Sequence, residues 1–362
     1  MTTRHLIIPG SFFPSLGGAQ GSMLNFVSLL GNKKEVYIST GIKGYLFGIN
    51  KDRKFNFTFP YIGILVKFNT YVFFTLLMYR FFYNPKIIWL YGGGVLSAKV
   101  LKFKWIFGNS TKIVLRSAGE DIQRDKKVSY GYSDDNKNRK LILKYYPKAD
   151  YFWSLGTEIT KEYISINIDK NKIIETGNMI ARPRIKKIQN VDDPRINIGV
   201  IGRYHPKKQF ELARDVALND IEKKYKFHFK TPEFFFNHDN KNVEFHGPSS
   251  IHDLLNWPPL DVWKFYDLCD LLLITSRIES FGNVTFEAGI SGLTIVIQEN
   301  VTGAKLASNL GFNVITYKDF TVESILNTLS KISKKHLIDH RQVKRYLYKD
   351  ELINLINKIE HE

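Results

Sequence analysis

Short apolar runs recur along the chain, separated by stretches whose apolar residues fall at helical spacing. Residues 271–274 are an unbroken apolar run, the pattern of a strand buried on both faces. Thr275, Ser276 and Arg277 end it, and residues 284–288 then read as the first turns of a helix. The same order opens the chain, with a strand at 5–8, a glycine-containing loop, helical spacing over 22–30 and a second strand at 35–39. Strands follow at 87–90, 113–115, 151–155 and 172–175, with a helix expected over 95–107. A second series begins at 196–201 and continues through 243–247, 271–274 and 294–297. From Thr321 onward the spacing is helical and amphipathic. Strands alternating with helices in two series predict an α/β protein with two doubly wound, Rossmann-like parallel sheets.

The 362 residues exceed one ordinary domain and suit two of about 180 residues each. Residues 182–194, with two prolines and little apolar content, are the expected linker. The domains are therefore expected at 1–185 and 195–345, with 346–362 as a C-terminal helix. Apolar residues make up 44% of the chain, enough to build cores and to exclude disorder as the default. The single cysteine, Cys269, excludes a disulfide framework and a cysteine-rich metal site.

The formal net charge of +17 is confined to one half of the chain. Residues 1–188 hold 30 Lys and Arg against 12 Asp and Glu, whereas 189–362 hold 22 against 23. An anionic surface or partner is expected for the first half alone. Lys99, Lys102 and Lys104 lie beside Phe103, Trp105 and Ile106, and residues 71–82 are dense in Phe and Tyr. This region is a candidate docking surface for an anionic membrane leaflet. The alternative is a core helix flanked by lysines that simply solvate its face. The start of the chain has too short an apolar core for a secretion signal, and the uncharged aromatic stretch 68–79 is too short to span a bilayer. The expected location is cytoplasmic, peripheral on the inner face of the membrane.

Candidate chemistry gathers after two strands. Following 271–274, the helix-start amides around Gly282, Asn283 and Val284 would point at whatever lies over the strand end, a position that favours an anion. Glu279 in the loop and Glu287 in the helix can flank one ligand and accept hydrogen bonds from hydroxyls. Amides for phosphate and carboxylates for sugar hydroxyls together suggest a sugar nucleotide. Following 196–201, Gly202-Arg203 and Lys208 flank a tight loop before a helix, so that two cations can converge on a diphosphate. Neither half carries a complete dinucleotide-binding G-x-G-x-x-G with its ribose acid, and no nucleic-acid-binding motif accompanies the basic charge.

Glu279-Ser280-Phe281-Gly282-Asn283-Val284-Thr285-Phe286-Glu287-Ala288-Gly289 resembles the two-glutamate signature of retaining glycosyltransferases with the GT-B fold, family four in particular. The resemblance implies that Glu279 reaches the donor sugar, Glu287 holds the nucleotide ribose and the amides between them face the diphosphate. Gly202-Arg203 with Lys208 is similar to the family's G-R-x-x-x-x-K stretch, which implies that Arg203 and Lys208 stabilise the departing nucleotide. Gln209 stands where that stretch usually has glycine. Pro14-Ser15-Leu16-Gly17-Gly18 resembles a stretch whose second glycine, here Gly18, lets the backbone approach the donor phosphates or the acceptor. Relatives often carry His-Gly-x-Asp where this chain has Ala118-Gly119-Glu120-Asp121. The histidine is missing, which leaves Glu120 or Asp121 to orient the acceptor, with a capping role open for Asp121.

The resemblance therefore implies two Rossmann-like domains facing a central cleft, with the C-terminal helix 346–362 crossing back to the first, and a hexosyltransferase-class enzyme acting with retention of configuration. Its donor would be a nucleotide sugar, UDP-linked in the first instance, and its acceptor a glycan or a lipid-linked sugar in surface polysaccharide or lipopolysaccharide synthesis. No cofactor is implied, and no Asp-x-Asp motif calls for a metal at the donor. The alternative is a non-catalytic sugar-nucleotide-binding or scaffold protein of the same fold.

Overall fold

The computed structural model describes residues 3–10, 18–31, 35–39, 56–57, 69–132, 136–184, 194–231, 242–247, 260–334, 337 and 344–362. They divide into two compact units. The first runs to Met179 and takes back Tyr348–Glu362; the second is Ile180–Leu347, together with Lys127–Ser129.

The first unit is built on seven parallel strands in the order β3-β2-β1-β4-β5-β6-β7. These are β1 (Arg4–Pro9), β2 (Glu35–Ile38), β3 (Asn56–Phe57), β4 (Ile87–Gly92), β5 (Lys112–Ser117), β6 (Tyr151–Ser154) and β7 (Ile173–Glu175). The central strands read as apolar runs because both faces are covered, and Leu6, Ile7, Ile88, Leu90, Ile113 and Leu115 are fully buried. Phe26 of the Gly18–Leu30 helix packs against Trp89 and Trp153 at ring distances of 4.8 and 5.1 Å.

The second unit holds six parallel strands in the order β11-β10-β9-β12-β13-β14. With β8 (Ile180–Ala181) preceding them, these are β9 (Ile196–Ile201), β10 (Tyr225–Lys230), β11 (Val243–Phe245), β12 (Leu271–Ile274), β13 (Thr294–Gln298) and β14 (Val314–Tyr317). β8 pairs antiparallel with β15 (Tyr346–Leu347). The expected runs over 196–201, 271–274 and 294–297 form the centre of this sheet. β10 and β14 are additions to the sequence reading. In β10, Phe227 and Phe229 fill the core on one face, while Lys226, His228 and Lys230 alternate with them and mask the apolar run.

The expected helix over 95–107 is shorter. Gly94–Lys102 is α-helical, Phe103 leaves the helical region at φ −104° and ψ 19°, and Lys104–Phe107 is a single 3₁₀ turn. The tract from Thr321 onward is also not continuous: a helix at Val322–Leu329 and another at Lys349–His361 stand on either side of β15. The last helix buries Leu352, Leu355, Ile356 and Ile359, one stripe at helical spacing. It is tied to the first strand of its unit, since His5 Nε2 donates to Glu360 Oε1 at 2.9 Å. Trp89 Nε1 donates to His5 Nδ1 at 3.1 Å, which leaves Nε2 to carry the proton.

The expected linker begins with a residue that is not a linker residue. Arg182 is buried within the second unit, where it donates to Asp267 Oδ1 at 2.7 Å and Ser291 Oγ at 2.9 Å. Residues 185–193 and 248–259 lie outside the described residues.

Candidate functional site

In the second unit the chain leaves β9, adds β10 and β11 on one side, and returns to lay β12 on the other. The loops after β9 and β12 therefore diverge at a topological switch point, where open parallel sheets leave a crevice at the carboxyl ends of their strands. Every donor-site residue expected from the sequence, apart from Gly18, is carried by these two loops and the helix that follows β12.

Gly202 follows β9 with φ 152°, and a Cβ there would stand 3.1 Å from the Phe210 ring. Arg203 is exposed, and Pro206–Lys208 forms a 3₁₀ turn. Gln209 then adopts φ 47° and ψ 49° to start the helix Phe210–Leu218. Glycine adopts that left-handed geometry without a steric cost, and glutamine occupies it here under strain.

The two loops hold each other. Thr275 Oγ1 donates to the Lys208 carbonyl at 2.7 Å, and the Arg277 N–H donates to the Lys207 carbonyl at 2.8 Å. Lys208 Nζ forms an ion pair with Glu279 Oε1, both side chains being largely shielded from solvent. Burial alone would raise the Glu279 pKa, but the charges of Lys208 and Lys207, with hydrogen bonds from Lys208 and Ser276, hold it below its ordinary value. Ile201, Lys208, Thr275, Ser276 and Val284 border a small depression beside this pair.

Gly282 has φ 80° and ψ 63°, and a Cβ there would lie 3.1 Å from Thr285 Oγ1 and 3.5 Å from Glu279 Cβ. Glycine thus permits both the turn and the approach of Glu279. It also offers no side chain to cap the Asn283–Ile290 helix; of the first-turn N–H groups, that of Thr285 donates to the Gly282 carbonyl at 2.8 Å. Asn283 and Val284 are part-exposed at this helix start. Glu287 lies on the next turn and accepts from the Tyr266 hydroxyl at 2.7 Å. Burial raises its pKa, opposed by that hydrogen bond and by Lys208.

The acceptor-side candidates separate. Glu120 is exposed. Asp121 is buried: it accepts from Ser117 Oγ at 2.5 Å and from the Tyr146 hydroxyl, which itself accepts from the Gly94 N–H at 2.6 Å. Desolvation raises the Asp121 pKa against those hydrogen bonds. Asp121 also touches the glycine turn after β4. Gly93 has φ 66°, and a Cβ there would fall 2.1 Å from Asp121 Oδ2. Gly18 is exposed at the first position of its helix, while residues 11–17 before it lie outside the described residues.

One polar residue of the first unit escaped the sequence reading. Arg116, 3% exposed on β5, lays its guanidinium 4.2 Å from the Tyr91 ring and donates to Asn178 Oδ1 at 2.6 Å. Within the run 113–116 only its charge could have flagged it.

The basic, aromatic region resolves differently from expectation. Among its lysines, Lys99 is buried and Lys104 pairs with Asp150 at 2.5 Å, so neither stands ready as a free surface charge. The apolar residues are the exposed ones. The Asn69–Phe82 helix buries only Val72, Leu76 and Tyr79, leaving Phe74, Leu77, Met78, Phe81 and Phe82 exposed, with Phe81 at 81%. Trp105, 69% exposed, meets Phe73 of that helix at 5.9 Å. Among the described residues no helix is long and apolar enough to cross a membrane.

No protein-family model matches the chain, and no curated protein matches it in sequence. Its likeness to solved structures is extensive. The Anabaena protein Alr3699/HepE, solved with UDP and glucose, aligns at TM-score 0.67 and 14% identity over 99% of this chain and 100% of its own. The lipopolysaccharide outer core galactosyltransferase WaaB, in its apo form, aligns at 0.59 and 14% over 99% and 95%. The UDP-GlcNAc 2-epimerase of Methanocaldococcus jannaschii aligns at 0.59 and 12% over 99% and 100%. The shared property is the fold: two doubly wound α/β units of the GT-B type.

Proposed function

We propose that this chain is a retaining glycosyltransferase of the family-four type, with a nucleotide sugar, UDP-linked in the first instance, bound to its second unit. The observation that carries the reading is the junction of Lys208 and Glu279 beside the helix start at Gly282, which has no side-chain cap, all at the switch point of one parallel sheet. Cations, helix-start amides and a carboxylate meet where a diphosphate and its sugar would need them.

In this reading Glu287 accepts the ribose hydroxyls and the amides of Gly282, Asn283 and Val284 face the diphosphate. Lys208 and the exposed Arg203 take up the charge that develops on the diphosphate as the bond from its oxygen to the anomeric carbon breaks. Glu279 orients the sugar, and its existing pair with Lys208 positions that lysine beside the sugar–phosphate junction. The acceptor hydroxyl forms the new bond on the face being vacated, and its proton passes to the leaving phosphate. Atoms and charge balance without an enzyme nucleophile, and no residue of the donor site calls for a metal or cofactor.

The acceptor, a glycan or a lipid-linked sugar, is assigned to the first unit. There Glu120 is the exposed acid, and Asp121 acts as a positioning residue for the glycine turn after β4. The exposed face of Phe74, Leu77, Met78, Phe81, Phe82 and Trp105, on the basic half of the chain, suits contact with a membrane leaflet. Placement on the inner leaflet, in surface polysaccharide or lipopolysaccharide assembly, follows from that reading.

The test is a panel of sugar nucleotides with simple acceptors, followed by nuclear magnetic resonance of the anomeric centre. Release of nucleoside diphosphate with an α-linked product from an α-linked donor is expected. Inversion would overturn the retaining assignment. An intact nucleotide sugar changed at one sugar carbon would make the chain an epimerase, and binding without turnover would make it a scaffold.

A further inference from the structure

Away from the proposed donor loops, the edge of the second sheet carries a cluster of polar side chains, from buried His228 to exposed Glu244, that the proposed reaction does not use. His228 on β10 pairs in register with Glu244 on the edge strand β11, so the two point to the same face, and His246 lies two residues beyond Glu244 on that face. His228 Nδ1 stands 3.0 Å from His246 Nε2. Glu244 Oε2 stands 3.6 Å from the first nitrogen and Glu244 Oε1 3.7 Å from the second.

The 3.0 Å separation of the two nitrogens accommodates an ion about 2 Å from each, the length of a zinc–nitrogen bond, and each nitrogen has a Glu244 oxygen within 3.7 Å. The outer contacts orient the rings for this role. Asn197 Nδ2 donates to Asp270 Oδ2 at 3.1 Å, which turns Asn197 Oδ1 toward His228 Nε2 at 3.0 Å. His228 therefore carries its proton on Nε2 and presents a lone pair on Nδ1 toward His246 and Glu244. His228 is 3% exposed and His246 packs edge-on against Phe265, whereas Glu244 is exposed, leaving one side open for a water ligand.

We propose that His228, Glu244 and His246 form a zinc site that clamps the edge strand β11 to β10. Two imidazoles, one carboxylate and a water make a tetrahedral set suited to this ion. Lys226 is the local competitor, since its Nζ lies 2.7 Å from Glu244 Oε2. Zinc takes one carboxylate oxygen while the lysine keeps the other. Lys230, also on this face, is occupied by Asp261 at 2.8 Å.

The experiment titrates Zn²⁺ alone into the full chain stripped by chelator, with Co²⁺ absorption as a second readout. One saturable equivalent and the intense visible bands of tetrahedral cobalt are expected. His246→Gln and Glu244→Gln should each weaken binding by about tenfold or more, and Asn197→Ala by about 10–100-fold through loss of ring orientation. Lys226→Met should tighten it. His246 and Glu244 are the accessible members of the site, and circular dichroism on their variants separates lost binding from lost folding. Failure to bind, or binding that survives both variants in folded protein, would overturn the site. Because metal binding is read directly, the result stands or falls independently of sugar transfer.

Discussion

Lys208 and Glu279, 71 residues apart in sequence, form an ion pair that joins the loop after β9 to the loop after β12. The pair is shielded from solvent, so removing one partner strands the other. Lys208→Ala should lower turnover by roughly 10- to 1000-fold, the scale of one lost donor at a developing charge. It should also destabilise the chain by roughly 3 kcal/mol, because an unpaired carboxylate remains inside. Arg203→Ala should show a comparable loss of turnover with stability changed by less than about 0.5 kcal/mol, since Arg203 is exposed. Steady-state kinetics paired with urea unfolding checks both; full activity in both variants removes the diphosphate assignment.

The same pair fixes a pH dependence. The pKa of Glu279 is lowered in the folded protein, so the unfolded state binds the proton more readily. Its contribution to stability is complete above the unfolded pKa near 4.3 and fades as the pH falls through the lower folded value. Wild type and Glu279→Gln should therefore differ by a constant amount at neutral pH and converge in acid. Unfolding free energies measured from about pH 7 to pH 3 would show it, and a gap that widens in acid would contradict the assigned cause.

The two glutamates should be separable by ligand. Glu287→Ala should weaken binding of free nucleoside diphosphate and of the sugar-bearing donor alike, because the ribose is common to both. Glu279→Ala should impair the sugar-bearing donor more. Calorimetry with both ligands decides, and parallel losses in both variants would end the division of labour.

Gln209 offers a gain rather than a loss. Its left-handed backbone suits glycine, so Gln209→Gly should stabilise the chain by about 0.5–1 kcal/mol despite the extra freedom it gives the unfolded state. Thermal unfolding would register an upward shift; a drop would mean that the glutamine side chain contributes more than its backbone strains.

For the membrane face, the apolar residues should matter more than the lysines. Phe81→Ser with Trp105→Ser should abolish co-sedimentation with anionic vesicles, while Lys99, Lys102 and Lys104 to Gln should weaken it modestly, since Lys99 is buried and Lys104 is paired. Retention of binding by the double serine variant would place any contact elsewhere.

The central strands and the loops after β9 and β12 were legible because their signals are local. An apolar run such as 271–274 announces itself, and a glycine between two acids keeps its spacing whatever surrounds it. The edge of the second sheet was not legible, because β10 alternates aromatic residues with Lys226, His228 and Lys230, whose partners lie on other segments. The neighbours of His228 come from β9 and β11, a relation set by register and invisible in spacing. The lysines near Trp105 misled for the same reason: Asp150, which occupies Lys104, is 46 residues away. Gln209 was noticed as a departure, but its cost became apparent only with its backbone angles.

The return of Lys349–His361 to the first unit sets a timetable for synthesis. The first unit is made first, yet its closing helix leaves the ribosome only after the whole of the second unit has been translated. At roughly 5–20 residues per second, the surface awaiting Leu352, Leu355, Ile356 and Ile359 stays uncovered for on the order of ten seconds or more. The second unit, nearly continuous in sequence, has no such wait. The nascent first unit is thus the part most in need of chaperone protection, and His5 stays without its Glu360 partner until residue 360 has been added.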